Sequence, residues 1–206
     1  MASRATGRGR DRTWTRQRLR KASRTPSRTR ARASSLSLIA ALAALLAIVG
    51  MQDDNSAQDA VQSNIQASDL WAFFQAKSLR QFTLERQSEV LKIEREGAPP
   101  ERQAAIDAQL KAWAAKIGEY ESDPKSGEGR KELMARAKAA EADRDTSLAA
   151  NNLFGYASAA LQLAIVLASA SIILGVGWLA FGAFGLGDVS LVFAGLGLFA
   201  PTLLAL

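Results

Sequence analysis

The chain has neither cysteine nor histidine. Without cysteine there are no disulfides, thiolate nucleophiles or sulfur-ligated metals, and thiols give no reading of redox compartment. Without histidine the usual general base and the commonest zinc ligand are gone. The remaining carboxylates, lysines, tyrosines and serines form no recognisable catalytic constellation. We therefore expect no enzyme, no cofactor and no metal site. Strand signals are missing too from residues 53–152, because β-branched residues there are few and never alternate. Charge is nearly absent from residues 153–206, where Asp188 stands alone.

The charge that is present is sorted along the chain. Residues 1–32 hold eleven arginines and Lys21 against Asp11, a net +11. Residues 52–152 hold 14 Lys/Arg and 18 Asp/Glu, a net −4. This division reads as a membrane protein with a basic tail rather than one basic globule.

Ala33 to Gln52 contains no charged residue, and "LSLIAALAALLAIVGM" is apolar apart from Ser37. Twenty uncharged residues, at ~1.5 Å each, match a hydrocarbon core of about 30 Å. A cleaved signal peptide is the rival reading, but no small-x-small site precedes Asp53. A second span is expected over 153–181, a glycine-rich turn "GAFGLGD" over 182–188, and a third span over 189–206. Asp188 then marks a membrane face, no ionisable residue lies within a span, and Gln162 and Ser169 need interhelical partners. The basic tail beside the first span, facing four aspartates and no cation in residues 52–70, puts the N terminus in the cytoplasm and residues 53–152 outside.

The tail is rich in Arg, Ser and Thr and poor in apolar residues, so it is expected to be disordered. Arg18, Arg20, Lys21, Arg24, Arg28, Arg30 and Arg32 are the candidates for contact with anionic lipid, at ~1 kcal/mol each near the surface. Nucleic acid is the less favoured partner, since only Trp14 could stack on a base and no folded binding module is present.

Between the first two spans, "GAPP" at 97–100 and "SDPKSGEG" at 122–129 punctuate the chain. They leave helices of about 53–96, 100–121 and 130–152, the last running on into the second span. In the second helix Ile106, Leu110, Trp113, Ile117 and Tyr120 recur at coiled-coil spacing. In the first, Val61, Ile65, Ala72, Leu79, Val90 and Ile93 fall near one face, interrupted by Arg86. Leu133, Ala137, Ala140 and Leu148 form a weaker stripe in the third. A 44-residue first helix is about 66 Å long, which two shorter helices laid end to end would match. The expected fold is thus all-α: three transmembrane helices, with an extramembrane antiparallel, coiled-coil-like helical hairpin between the first and second. A compact three-helix bundle is the alternative arrangement.

The most distinctive stretch is "ASDLWAFFQAKSLR", residues 67–80. On a helix Trp71, Phe74, Ser78 and Phe82 share a face beside Leu70, Phe73 and Lys77, covering more circumference than a two-helix seam needs. Asp69, Trp71, Phe74, Gln75, Lys77, Ser78 and Phe82 are the candidate interaction surface, because aromatics and cations dominate interface energetics. A thick core against residues 133–148 is the ordinary alternative. The pattern Asp69, Trp71, Gln75, Ala76, Lys77, Ser78 resembles the signature of a family of bacterial membrane proteins, domain-of-unknown-function family 4337. "LQLAIVLASASI" at 161–172 is a second likeness. The resemblance covers about residues 36–206 and implies architecture without an activity.

These observations lead us to expect a non-enzymatic protein of the bacterial inner membrane whose helical stalk self-associates or binds another envelope protein. An oligomeric channel or transport accessory subunit is the alternative, and a membrane tether for nucleic acid is less favoured.

Overall fold

A computed structural model describes residues 25–204 of the chain. Among the described residues there are four α-helices, a short 3-10 helix and no strand: α1 (Thr25–Glu96), α2 (Pro100–Glu121), α3 (Arg130–Leu174), α4 (Trp178–Phe199) and the 3-10 turn Pro201–Leu204. They form two compact units. One comprises the described residues up to Gln52 together with Leu153–Phe199; the other comprises Asp53–Asn152 with the described residues from Ala200.

The first unit contains parts of α1 and α3 and all of α4. Leu36–Glu96, Arg130–Leu174 and Trp178–Phe199 each include a stretch long and apolar enough to cross a membrane. Only 11%, 33% and 17% of the residues in those stretches are buried within the chain. The inward faces are built largely on small residues, with Leu42, Phe154 and Leu161 set among them: Ala157, Ala164 and Ala183 are wholly buried, as is Ser190 at 1% exposure. The outward faces carry the large ones, including Val166, Ile173, Phe181 and Phe199. That inversion is what a lipid solvent permits, since close approach of small residues, not expulsion of apolar bulk, drives helix packing there. Gly187 and Gly197 show it directly. A Cβ at Gly187 would sit 3.3 Å from Leu42, and one at Gly197 would sit 3.2 Å from the Phe154 ring.

Four expectations about this part of the chain are corrected. α1 begins at Thr25, not at residue 33, so residues 25–32 are helical rather than disordered. Pro26 suits a first helical turn, where its missing N–H has no partner to lose. Arg18, Arg20, Lys21 and Arg24 lie outside the described residues, and for Arg28, Arg30 and Arg32 only the helical backbone is described.

The turn between the last two helices is at Gly175-Val176-Gly177, not at 182–188, so α3 ends at Leu174 and α4 begins at Trp178. Gly175 adopts φ +70°, a conformation that side chains resist. Its N–H reaches the Ser171 carbonyl at 3.0 Å, and the Ser171 hydroxyl donates to the Val176 carbonyl at 3.0 Å. The later glycines stay helical, as apolar helices tolerate them where the backbone must satisfy itself.

Asp188 consequently sits near the middle of the 22-residue α4, not at its boundary. Ser169 needs no neighbouring helix, because its hydroxyl donates to the Ile165 carbonyl of its own helix at 2.8 Å.

In the second unit, Ala67, Leu70, Leu133, Ala137 and Ala140 form the core, with Trp71 and Phe74 packed against it. Burial of Leu133, fully enclosed, contributes roughly 2–3 kcal/mol. Ile106 is buried on α2, and Leu110, Trp113, Ile117 and Tyr120 are its other shielded positions. Leu148, expected in the α3 stripe, is 45% exposed. The α1 stripe is inverted with respect to the core: Val61, Ile65, Leu79, Val90 and Ile93 are 56–72% exposed. The face that packs inward instead carries Ala60, Ala67, Leu70, Gln81 and Ser88. Small and short side chains there let a neighbouring helix approach, so the branched residues are left outside.

Candidate interaction site

The breaks between the helices of the second unit bring the site together. After Glu96, Gly97 and Ala98 lead into Pro99, whose extended backbone (φ −61°, ψ 154°) precedes Pro100 at the first position of α2. Arg95 at the end of α1 donates to Asp107 through Nε at 2.5 Å and Nη2 at 2.8 Å. This forked contact raises the Arg95 guanidinium pKa and holds the Asp107 carboxyl below its ordinary range.

The loop 122–129 is more tightly made. Asp123 accepts from Ser126 Oγ at 2.5 Å and from the Lys125 and Ser126 amides, while Gly127 (φ +70°) reverses the chain. Glu132, in the first turn of α3, accepts from Ser122 Oγ at 2.6 Å and from the Asp123 amide at 3.2 Å. These bonds lower the pKa of Asp123, chiefly through the Ser126 hydroxyl, and of Glu132, chiefly through the Ser122 hydroxyl. A side chain at Gly129 would strike Glu132, the Asp123 backbone nitrogen and Ser122 Cα.

This loop delivers Arg130 to the face of α1. Its Nε donates to Ser78 Oγ at 2.9 Å, and Nη1 donates to Gln81 Oε1 at 2.9 Å and Glu121 Oε2 at 2.8 Å. The guanidinium also lies 5.2 Å from the centroid of Phe74, within cation–π range. Phe74 meets Trp71 edge-on at 5.5 Å, and the indole Nε1 of Trp71 donates to Glu141 on α3 at 2.9 Å. Lys77 stands between the rings of Phe73 (5.3 Å) and Tyr120 (5.5 Å) and 3.8 Å from Glu128.

The structure therefore divides the candidate surface. Trp71, Phe74, Lys77 and Ser78 are used within the chain, joining α1 to α2, α3 and the loop between them. Asp69, Gln75 and Phe82 remain exposed, Phe82 with Arg86 5.2 Å from its ring. Around the exposed three run Val61, Ile65, Leu79, Val90 and Ile93. A shallow apolar depression lined by Ala57, Gln58, Val61, Gln62 and Ile65 begins that strip.

Sequence reasoning missed Arg130, Gln81 and Glu141 as partners. Arg130 did carry a signal: a cation opening a helix opposes the helix dipole, so it calls for a specific acceptor. Glu141 carried none.

The family described as "Domain of unknown function (DUF4337)" matches residues 33–200. The chain belongs to this family. No curated protein and no solved structure matches it. The DUF4337 region covers most of both units and excludes the arginine-rich tail up to residue 32.

Proposed function

We propose that this DUF4337 chain is a non-enzymatic integral membrane protein of the bacterial inner membrane. Its extramembrane helices would form a broken antiparallel hairpin that docks a second copy or another envelope protein. The exposed apolar stripe of α1 carries the reading: a soluble surface seldom leaves so continuous a run of branched residues uncovered. The hairpin is supported by the order of contacts. Arg95 meets Asp107, Lys77 meets Tyr120, Trp71 meets Glu141, Arg144 meets Asn64, and Asn151 meets Asp53, so α1 numbers fall as the others rise.

The +11 tail favours a cytoplasmic N terminus lying against anionic lipid. Three crossings would return the residues after α4 to the same side as Asp53–Asn152. Single cysteines at Asp54, Ser126 and Val176, probed with a membrane-impermeant thiol reagent in intact cells, test this arrangement. Positions 54 and 126 should react and position 176 should not; labelling of 126 only after the cells are opened would reverse it. Val61→Glu with Leu79→Glu should abolish the docking while leaving membrane insertion unchanged.

A pore-forming oligomer is the second reading. Asp188 within α4 favours it, since ionisable groups inside spans commonly line pathways. Conductance in planar bilayers would separate the two.

A further inference from the structure

Asp188 and Gln162 are an unusual pair of groups to leave on the outside of apolar helices. Both are exposed in the first unit, and neither makes a hydrogen bond or ion pair among the described residues. α4 is about 33 Å long, so a carboxyl near its middle, on the shortest of acidic side chains, cannot reach either end to meet water. Ionisable groups inside spans almost always face the bundle interior, and this one faces away from it.

The two groups also share a level. Along α3 and α4, Phe154 lies against Gly197, the Tyr156 ring is 5.8 Å from that of Phe193, and Leu167 lies 3.5 Å from a Cβ built at Gly182. Interpolating between these contacts sets Gln162 opposite residue 188 in depth. The inward faces of the two helices carry Ala157, Leu161 and Ala164 on one and Ala183, Gly187 and Ser190 on the other, so Gln162 and Asp188 both point outward.

We infer that copies of this chain associate side by side within the bilayer through a hydrogen bond from the Gln162 amide of one copy to the Asp188 carboxyl of the next. A primary amide offers N–H donors and a carbonyl acceptor, so it suits a carboxyl in either protonation state. No lysine or arginine lies in residues 36–52 or 153–199 to serve instead. A second copy meets the requirement automatically: inserted in the same sense, it presents its own Gln162 at the depth of Asp188. A partner of different sequence would need a polar group placed independently at that level. Gly185, one turn from Asp188, has nothing within 4 Å of its Cβ position and lets the neighbouring helix approach. Because donor and acceptor occupy different helices, the contact closes either reciprocally, as a two-fold pair in which each Gln162 meets the other copy's Asp188, or head-to-tail, as a ring when the rotation allows.

The inference rests on the three-span reading, and one experiment separates the two. The cysteine-free full-length chain is made as two single-cysteine forms with different tags, Val166→Cys on the α3 face and Gly185→Cys on the α4 face. They are co-reconstituted in phosphatidylcholine vesicles and oxidised. A disulfide between the two differently tagged forms is expected. Asp188→Leu or Gln162→Leu should reduce its yield about 3- to 30-fold, the range of one interhelical hydrogen bond. Asp188→Asn, which can still accept from the amide, should retain most of it.

Absence of the mixed disulfide, or linkage only between like positions, overturns the association. So does an unchanged yield with both leucine variants. A water-soluble maleimide reports on the spans independently: if it labels position 185 in sealed vesicles, the three-span reading fails.

Discussion

Replacing Arg130 with methionine removes the guanidinium fork, and its contact with Phe74, while keeping an unbranched apolar stem. Three bonds are lost, to Ser78, Gln81 and Glu121. Hydrogen bonds involving a charged group contribute about 1.5–3 kcal/mol each. The Glu121 pair is partly open to solvent, its side chains 28% and 38% exposed, and contributes roughly 0–1 kcal/mol. Ser78 and Gln81 regain some water when the arginine leaves, which discounts their share. The net loss should be about 2–4 kcal/mol, because contributions within one network do not add.

The assay exploits the absence of cysteine. Ala137 is completely buried in the core beside Leu133. In an Ala137→Cys background, labelling by a water-soluble maleimide under native conditions reports transient opening. A loss of that size accelerates labelling about 25- to 700-fold, at tenfold per ~1.4 kcal/mol. Arg130→Lys, which keeps the charge without the fork, should recover little of the protection. An acceleration below about threefold for Arg130→Met would refute the reasoning and reduce the network to surface decoration.

Other expectations use the same readout. Gly129→Ala forces a Cβ into backbone on the far side of the loop and should cost about 2–3 kcal/mol, as overpacking does, whereas Gly127→Ala should cost about 1–2 kcal/mol from its positive φ alone. Acidification should loosen the 122–129 loop: Asp123 and Glu132 have lowered folded-state pKa values, so their stabilisation is full above the ordinary carboxylate range and disappears as pH falls through the folded values. Asp53 works in the opposite sense, since burial and then Asp54 raise its pKa; its protonation at falling pH favours the folded state, and Asp53→Asn should flatten that part of the pH profile. Leu79→Lys, at a position 67% exposed, should change labelling at position 137 by less than about twofold, given effects within about 0.5 kcal/mol for such sites, yet abolish docking.

How much of this was legible in the sequence depended on the kind of signal. The breaks after Glu96 and Glu121 could be read because proline and glycine act locally, through lost donors and permitted φ values. Helical class followed from period and from the lack of alternation. Which face of α1 turns inward could not be read, because Val61, Ile65, Leu79, Val90 and Ile93 lie opposite the packing face and burial there follows helix proximity. Glycine misled in the last helix: the three glycines of "FGAFGLGD" suggest a turn in water, yet they stay helical and the turn falls at Gly175. Within the motif at 69–78, the role of Lys77 and Ser78 depended on Arg130 and Tyr120, 52 and 43 residues away in the chain, a pairing that no local pattern announces.

One feature of α2 bears on how the second unit comes apart. It buries Ile106 alone, and its neighbours along that face are only half covered, whereas α3 encloses Leu133, Ala137 and Ala140 almost completely. Amide exchange should thus be graded, with α2 releasing its protons by a sub-global opening while α3 holds them until the whole unit melts. A partner that seized the bared inner side of α1 near Ser88 could compete with α2 for that ground without disturbing the Trp71 anchor.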